Sequence, residues 1–263
     1  STDCRRIRRP AGSNFNETDP CLDSPEISPV ELPGDEGSAG LQSLRGPYQV
    51  VSTLDEPDGN FLKTAKVDAC GRLWVGSSGR QNGDQVGCVF GAGTAKVYGV
   101  SWSRRLLPKI PGLSQTSGMA WAPDDRTLYM IDSAETCVFA YDYHAKTGSL
   151  ANPRAIFDAS KFGNGVALHG MTIDNDGYLY IGIYGLGRVI IVDPESHQLV
   201  GYVCLPTPYV TGVTWGGEAL DTLYVTSAAR QADLTSHPTS GSLFQVTDLD
   251  AKGFRNLKAH LVV

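Results

Sequence analysis

A short hairpin pattern that recurs four times along the chain constrains the fold more than any other feature of the sequence. In residues 116–132, two apolar segments flank a Pro-Asp-Asp-Arg turn, which is typical of a β-hairpin. Related hairpins occupy residues 64–77, 169–183 and 211–227. The leucine of the second strand recurs at intervals of 55, 51 and 44 residues. A strand-rich repeat of roughly 40–50 residues is the signature of a β-propeller blade.

The sequence therefore predicts an all-β fold, a β-propeller with four legible blades and a shortened or irregular N-terminal region. The predicted blades cover about residues 61–101, 116–158, 168–205 and 210–259. Residues 47–263 form the predicted propeller domain, and residues 1–46 form an extended N-terminal arm.

The arm differs in composition from the rest of the chain, since it holds five of the fifteen prolines and has no alternating pattern. Residues 48–54 read as a strand. Because four blades would close only a tight ring, residues 1–54 are expected to contribute at least part of another blade. Deletion of the arm should then destabilise the propeller, and an open blade edge would allow self-association.

Composition and charge exclude two classes of partner. The net charge of −6 and the pI near 5.3 argue against nucleic acid, because phosphate binding requires a basic surface. No apolar run approaches the length that crosses a bilayer, so no membrane partner is expected.

The six cysteines show no metal-ligand spacing and allow fifteen pairings, so their connectivity stays open. An even count, together with the glycosylation sequon at Asn16, favours a secreted and oxidised protein. A Cys4–Cys21 bridge would tie down the arm, and Cys70 and Cys88 lie on neighbouring predicted strands of the first blade, which would allow a second bridge. The alternative is a cytosolic protein with buried free thiols.

Three segments carry a resemblance to a known family: GMAWAPDDRTLYMIDS, VFAYDYHAKTGSLANPRAIF and GMTIDNDGYLYIGIYGLGRVIIVDPESHQL. They resemble the SMP-30/gluconolactonase/regucalcin family, and the C-terminal part from VTGVTWGGEALDTLYVTS onward is similar to its luciferin-regenerating-enzyme branch. The resemblance covers residues 48–263. It implies a six-bladed propeller that holds one divalent cation, often Ca²⁺, on its axis and hydrolyses lactones or related esters. Against that template the chain lacks about a blade and a half near its N-terminus.

The resemblance also allows the family's functional positions to be compared one at a time. Ser117 stands where the family has a metal-binding Asn, and His169 stands where it has a metal-binding Asp that also serves as a general base. Residues 61–66, FLKTAK, replace the family's Arg-x-Asn-Asp-Gly-Lys and put Lys63 near the site. Glu36 lies in a segment that only partly matches the family motif that supplies the metal-binding Glu.

These replacements do not suit Ca²⁺, which needs six to eight oxygen ligands. No cofactor is therefore expected, with Ca²⁺ or another divalent cation as the alternative. If a metal is retained, Glu36 and His169 are its candidate ligands, and an imidazole would suit a softer ion such as Zn²⁺. Lys63, Ser117 and His169 are instead predicted to bind a small molecule in an axial pocket. The Lys63 charge should also lower the pKa of His169.

Two functions are compatible with this site. The first is a non-catalytic or strongly diverged protein that binds a small anionic or carbonyl-bearing molecule. The alternative is a lactonase or esterase in which His169 acts as the general base, with or without a divalent metal. A further interpretation of His169 is a hydrogen-bonded residue that lines the pocket. The sequence leaves open whether the protein is an enzyme.

Overall fold

A computed structural model describes residues 26–30, 60–78, 95–100, 106–229 and 233–260. The described residues form sixteen β-strands and one short 3₁₀ turn, Ser160–Phe162. No helix in these ranges has the length and apolar character needed to span a membrane. The strands assemble into four antiparallel sheets of four strands each, which confirms the predicted all-β propeller architecture.

The sheets are named blades A to D in chain order. Blade A contains β2 (Phe61–Val67), β3 (Leu73–Ser78), β4 (Ala95–Val100) and β5 (Leu106–Leu113). Blade B contains β6 (Thr116–Trp121), β7 (Thr127–Asp132), β8 (Cys137–His144) and β9 (Ser149–Asp158). Blade C contains β10 (Ala167–Ile173), β11 (Leu179–Tyr184), β12 (Arg188–Asp193) and β13 (Gln198–Cys204). Blade D contains β14 (Val210–Gly216), β15 (Thr222–Ser227), β16 (Leu243–Val246) and the N-terminal β1 (Ile27–Pro29).

The innermost strands β2, β6, β10 and β14 pack in that order, each against the next. At the β6–β10 contact, a Cβ on Gly118 would lie 2.8 Å from the backbone nitrogen of Met171. At the β10–β14 contact, a Cβ on Gly170 would lie 2.6 Å from the Cα of Gly212. Glycine is required at these points because the two backbones approach too closely for any side chain.

The first blade extends further than the sequence predicts. Its fourth strand, β5, continues to Leu113, whereas the predicted blade ends near residue 101. Pro108 and Pro111 obscure the strand pattern, and they are tolerated because β5 is the outer strand and one of its edges has no ladder partner in the sheet.

The predicted Cys70–Cys88 disulfide is wrong, because Cys70 carries a free thiol. Its Sγ lies 3.4 Å from the carbonyl oxygen of Ala145, to which it donates. Cys137 is also a free thiol, whereas Cys204 is disulfide-bonded. Asn16, Glu36, the bridge Cys4–Cys21 and the strand 48–54 lie outside the described residues, so these expectations and the boundary at residue 46 stay predictions.

The carboxylate of Asp68 joins blades A and B. Within blade A it accepts hydrogen bonds from the backbone nitrogens of Cys70 and Arg72, the guanidinium of Arg72 and the indole of Trp74. From blade B, the Tyr143 hydroxyl donates to it at 2.7 Å. Asp68 has no solvent exposure, and these donors satisfy the buried charge.

In blade C, Asp174–Gly177 forms the tight turn of the hairpin that the sequence predicts over residues 169–183. The backbone nitrogens of Asp176 and Tyr178 donate to Oδ1 of Asp174 at 3.0 and 2.9 Å.

A C-terminal strap, residues 252–260, connects the turns that follow the inner strands. The carbonyl of Lys252 accepts from Asn175 of blade C, and the backbone nitrogen of Gly253 donates to Leu220 of blade D. At its far end, the nitrogen of His260 donates to the carbonyl of Gly71 in blade A, at 2.8 Å. The strap thus links blades A, C and D at the C-terminal ends of their inner strands. This is the opposite end of the propeller from the first residues of those strands.

Blade D is completed by the N-terminal strand β1, which lies within the segment assigned to the arm. Ile27, Ser28 and Pro29 pair with Val246, Gln245 and Phe244 of β16. Backbone hydrogen bonds from Val30 to Leu243 and from Thr247 to Glu26 extend the pairing at both ends. Residues 26–30 of the predicted arm are therefore part of a blade.

Removal of β1 should destabilise the protein. Deleting residues 1–30 is expected to lower the free energy of unfolding by about 2–4 kcal/mol relative to deleting residues 1–25, because only the longer deletion exposes the edge of β16 and loses the packing of Ile27. Both variants lack Cys4, Asn16 and Cys21, so the comparison isolates β1. Equal stability of the two variants in urea unfolding would show that β1 is dispensable.

Candidate functional site

Each of the four inner strands carries a β-bulge near its start. The register of pairing shifts between Leu62 and Thr64, Thr116 and Gly118, His169 and Met171, and Val210 and Gly212. Bulges re-aim side chains and are common next to binding sites. The bulged residues are Lys63, Ser117, Gly170 and Thr211 in blades A to D. His169 comes directly before the bulged Gly170, and by the repeat of the sequence it corresponds to Lys63, Ser117 and Thr211.

The charge of Lys63 influences His169 at this end of the propeller. The Lys63 Nζ is buried, and its charge acts on the imidazole of His169. Burial lowers the pKa of His169 to about 4, and the Lys63 ammonium contributes to the same shift. The predicted direction is therefore right, but burial is the larger cause. At neutral pH the His169 ring is uncharged.

Ser117 is 8% exposed and lies on the inner strand between those of Lys63 and His169. The hydroxyl of Thr211 lies 3.0 Å from that of Thr226 on the neighbouring strand. Ser117 and Thr211 thus offer hydroxyl oxygens rather than carboxylates. The four equivalent positions thus provide one ammonium, one neutral imidazole and two hydroxyls.

An aromatic ladder made of His169, Tyr184 and Tyr209 extends from the inner strand of blade C. The ring centroids of His169 and Tyr184 are 5.1 Å apart, and those of Tyr184 and Tyr209 are 4.7 Å apart. Both tyrosines are half-buried. The backbone nitrogens of Gly185 and Gly187 donate to the carbonyl of Pro208, which holds the two tyrosine-bearing segments together. The ladder fixes the His169 ring and provides flat apolar surface beside it.

Lys66 is a second lysine at the axis, three residues along β2 from Lys63. Its Nζ donates a hydrogen bond of 3.3 Å to the carbonyl oxygen of Met171, on the inner strand of blade C. The side chain therefore reaches past blade B. Among the described residues it forms no ion pair. Burial lowers the pKa of Lys66 to about 8.

The residues present do not fit the family's Ca²⁺. The charge of Lys63 acts on His169, and the described residues contain no group of three His, Cys, Asp or Glu side chains that would hold a metal ion. Ca²⁺ prefers carboxylate and carbonyl oxygens, and a nearby ammonium repels it. A ligand with negative charge or a polarised carbonyl suits these groups better.

A separate cleft of about 520 Å³ lies at the strap end of the inner strands. Its lining includes four aspartates: Asp176, Asp221, Asp248 and Asp250. Its charge is opposite to that of the axial site, and an anionic ligand would be repelled from it.

Four-stranded blades with polar residues at equivalent points of the inner strands define a β-propeller with a candidate binding site at its axis. The model of the family described as "SMP-30/Gluconolactonase/LRE-like region" matches residues 37–229. The chain belongs to this family.

Several named proteins are similar to this chain. Regucalcin from Gallus gallus is 29% identical over 80% of this chain and 71% of its own length. Regucalcin from Danio rerio is 30% identical over 77% of this chain and 67% of its own length. A solved structure of luciferin-regenerating enzyme matches with a TM-score of 0.71 and 31% identity, over 80% of this chain and 69% of that chain. These matches confirm the resemblance that the sequence motifs indicate.

A regucalcin structure from Agrobacterium tumefaciens, titled as a calcium-binding protein, matches with a TM-score of 0.68 over 77% of this chain and 66% of that chain. At 22% identity this likeness supports the fold alone.

Sequence reasoning did not single out Lys66, Thr211 or the two tyrosines of the ladder. Thr211 precedes a glycine in the fourth hairpin just as Ser117 does in the second, so aligning the four repeats would find it. Lys66 matches the last residue of the family's Arg-x-Asn-Asp-Gly-Lys motif. A comparison that looks for replaced residues therefore does not select it. Tyr184 and Tyr209 lie at the end of one strand and before another, and no local pattern in the sequence pairs them.

Replacing Lys66 by Met should stabilise the protein at pH 7 by about 1–3 kcal/mol, because the variant no longer buries a charge without an ion pair. Between pH 8 and 10.5 the unfolded chain holds a proton on Lys66 that the native protein has lost, so native stability rises with pH in this window. The stability difference between the two proteins should therefore shrink as the pH increases from 8 to 10.

Urea unfolding of Lys66→Met and of the charge-conserving Lys66→Arg, each at pH 7 and pH 10, measures the effect. Lys66→Arg should show no gain at pH 7. A less stable Lys66→Met protein at both pH values would mean that the hydrogen bond to Met171 outweighs the cost of burying the charge.

Proposed function

We propose that this chain is a propeller that binds a small anionic molecule at its axis without Ca²⁺, and that catalysis is absent or strongly diverged. The ligand's negative charge lies near Lys63 and Lys66. Uncharged His169 contributes one hydrogen-bonding nitrogen, and Ser117 contributes a hydroxyl.

The observation that carries this proposal is that the partly buried Lys66 has one backbone acceptor, the carbonyl of Met171, and no ion pair among the described residues. Taking an ammonium group out of water costs several kcal/mol unless a partner compensates the charge. The Met171 carbonyl supplies one acceptor for a group with three N–H donors. An anionic ligand beside Lys66 would supply both the missing acceptors and the missing charge.

The charge near Lys63 supports the same ligand class. A regucalcin structure with this fold is named as a calcium-binding protein. In this chain the Lys63 ammonium instead acts on His169, which stands where the family has a metal-binding Asp. A fixed ammonium attracts carboxylates and repels free Ca²⁺. The aromatic ladder adds flat apolar surface, so a carboxylate attached to a ring or chain would gain from both groups.

Titration calorimetry with benzoate, gluconate and Ca²⁺ tests the proposal. We expect at least one of the two carboxylates to bind, with affinity reduced at least about tenfold in Lys66→Met, because a charge-assisted hydrogen bond is lost. Lys146→Met, which removes an exposed lysine, should bind as the unmodified chain does. Millimolar Ca²⁺ should not raise the melting temperature, since a cation that does not bind the native state cannot stabilise it.

A gain-of-function variant completes this test. Combining Lys63→Asn, Ser117→Asn and His169→Asp restores oxygen ligands and removes one positive charge, so it should shift the protein toward Ca²⁺ binding. A tight calorimetric Ca²⁺ site in the unmodified chain would overturn the proposal and return the protein to the metal-dependent members of its family.

The family name also includes gluconolactonase, which favours hydrolysis as the second candidate function. In that case His169 is the general base. With a pKa of about 4 it is unprotonated at neutral pH but is a weaker proton acceptor than an ordinary imidazole. A lactone and aryl-ester screen would then show activity that falls by at least about a hundredfold in His169→Gln, with kcat/KM declining only near pH 4. Activity that is unchanged in His169→Gln would exclude this role.

A further inference from the structure

The strap carries an exposed segment that is both basic and apolar, and the proposed function does not use it. The side chains of Phe254 and Leu257 are 45% and 51% exposed. Two exposed cations, Arg255 and Lys258, lie directly beside them in the chain. Neither cation forms an ion pair among the described residues. Exposed apolar side chains next to uncompensated charges are typical of a surface that binds another molecule.

The surface from which the strap starts has the opposite charge. Lys252, the first residue of the strap, belongs to the lining of the cleft at this end of the propeller. The four aspartates of the cleft are exposed: Asp176, Asp221, Asp248 and Asp250. One lysine against four aspartates leaves the lining with a net negative charge. This end of the molecule therefore has an acidic half at blades C and D and a basic half that extends toward blade A.

The strap is held away from the cleft of its own chain. Backbone hydrogen bonds at Lys252 and Gly253 fix its first residues on blades C and D. The backbone nitrogen of His260 fixes its last residue on Gly71 of blade A. The residues between these points run from one side of the propeller end to the other, so their exposed side chains face a partner rather than the cleft beside them.

We propose that this face is an interface between two copies of the chain, in which the strap of each protomer lies against the acidic cleft of the other. A two-fold axis brings a surface patch against the same patch of a second copy. A patch with one basic and one acidic half is complementary to itself under that rotation. Each of the two equal contacts pairs Arg255 and Lys258 with aspartates and buries Phe254 and Leu257.

A second copy fits this face better than an anionic membrane does. A lipid surface would attract the strap but would repel the aspartates beside it, and the whole chain has a net charge of −6. It would also leave the cleft of about 520 Å³ unfilled, whereas a second copy brings the strap's apolar side chains to it. The face lies at the opposite end of the propeller from the axial site, so the inference does not depend on the proposed function.

Sedimentation equilibrium of the full chain tests the proposal. We expect a monomer–dimer equilibrium at about 0.05 M NaCl, with a Kd at least about tenfold weaker at about 1 M NaCl, because salt screens the charge pairs between strap and cleft. Combining Phe254→Ser with Leu257→Ser should weaken the dimer at least about tenfold as well. Leu234→Ser removes a leucine that is 54% exposed in the loop at the other end of blade D, and this control should dimerise as the unmodified chain does.

Two charge variants identify the surfaces that meet. The strap variant, Arg255→Asp with Lys258→Asp, places acid against acid in both contacts. The cleft variant, Asp221→Lys with Asp248→Asn and Asp250→Asn, removes the attraction. Asparagine is chosen at 248 and 250 because both residues have a positive φ, which asparagine tolerates. Each variant alone should dimerise at least about tenfold more weakly, and an equal mixture should form a heterodimer, because the unchanged strap of one meets the unchanged cleft of the other.

Several outcomes would overturn the proposal. A chain that stays monomeric at millimolar concentration and low salt has no such interface. A dimer that neither charge variant weakens uses another surface, such as the open blade edge. Variants that do not associate when mixed, although urea unfolding shows both to be folded, exclude the exchange of straps. Flotation with phosphatidylserine vesicles measures the alternative partner, and a monomer that binds them through the strap replaces the second copy with a membrane.

Discussion

The close approach of the inner strands at the axis is the constraint on which the rest of the site depends. Gly118 and Gly170 have no room for a side chain because a neighbouring backbone occupies the space where a Cβ would lie. Backbones packed this tightly bring groups from separate blades within hydrogen-bonding distance. Lys66 of blade A reaches the Met171 carbonyl of blade C for this reason. Polar residues near the starts of these strands therefore lie close together in a small region from which water is largely excluded.

Within such a region, a change of charge has larger consequences than it would at the surface. A family site that attracts a cation requires oxygen ligands, and at two of the corresponding positions this chain provides Lys63 and the uncharged imidazole of His169 instead. The burial that lowers the pKa of His169 also lowers that of Lys66. Both shifts favour the uncharged forms, and at neutral pH the lowered pKa leaves the imidazole of His169 without a charge, whereas most of Lys66 is still an ammonium.

The sequence predicts the parts of this structure that local chemistry determines. The Asp174–Gly177 turn and its flanking strands follow from residues that are adjacent in the chain, and the position of His169 follows from a glycine beside it. The features that the sequence does not predict depend on distant partners. Two prolines interrupt the strand pattern of β5, and they are tolerated because β5 is an outer strand. β1 has just three residues that pair with β16. Lys66 becomes notable only when its burial and its single acceptor are known.

The pairing of β1 with β16 also has a consequence for the order of folding. The side chains of Ser28 and Gln245, which form a hydrogen bond, are separated by 217 residues. Closing a loop of that length in a disordered chain costs about 5 kcal/mol of entropy, roughly what a three-residue strand returns through its hydrogen bonds and packing. β1 can therefore dock only after blades A to D have assembled and brought their ends together. During synthesis on the ribosome β1 is made before the other described strands but is the last of them to pair, and until then β16 exposes an unpaired edge.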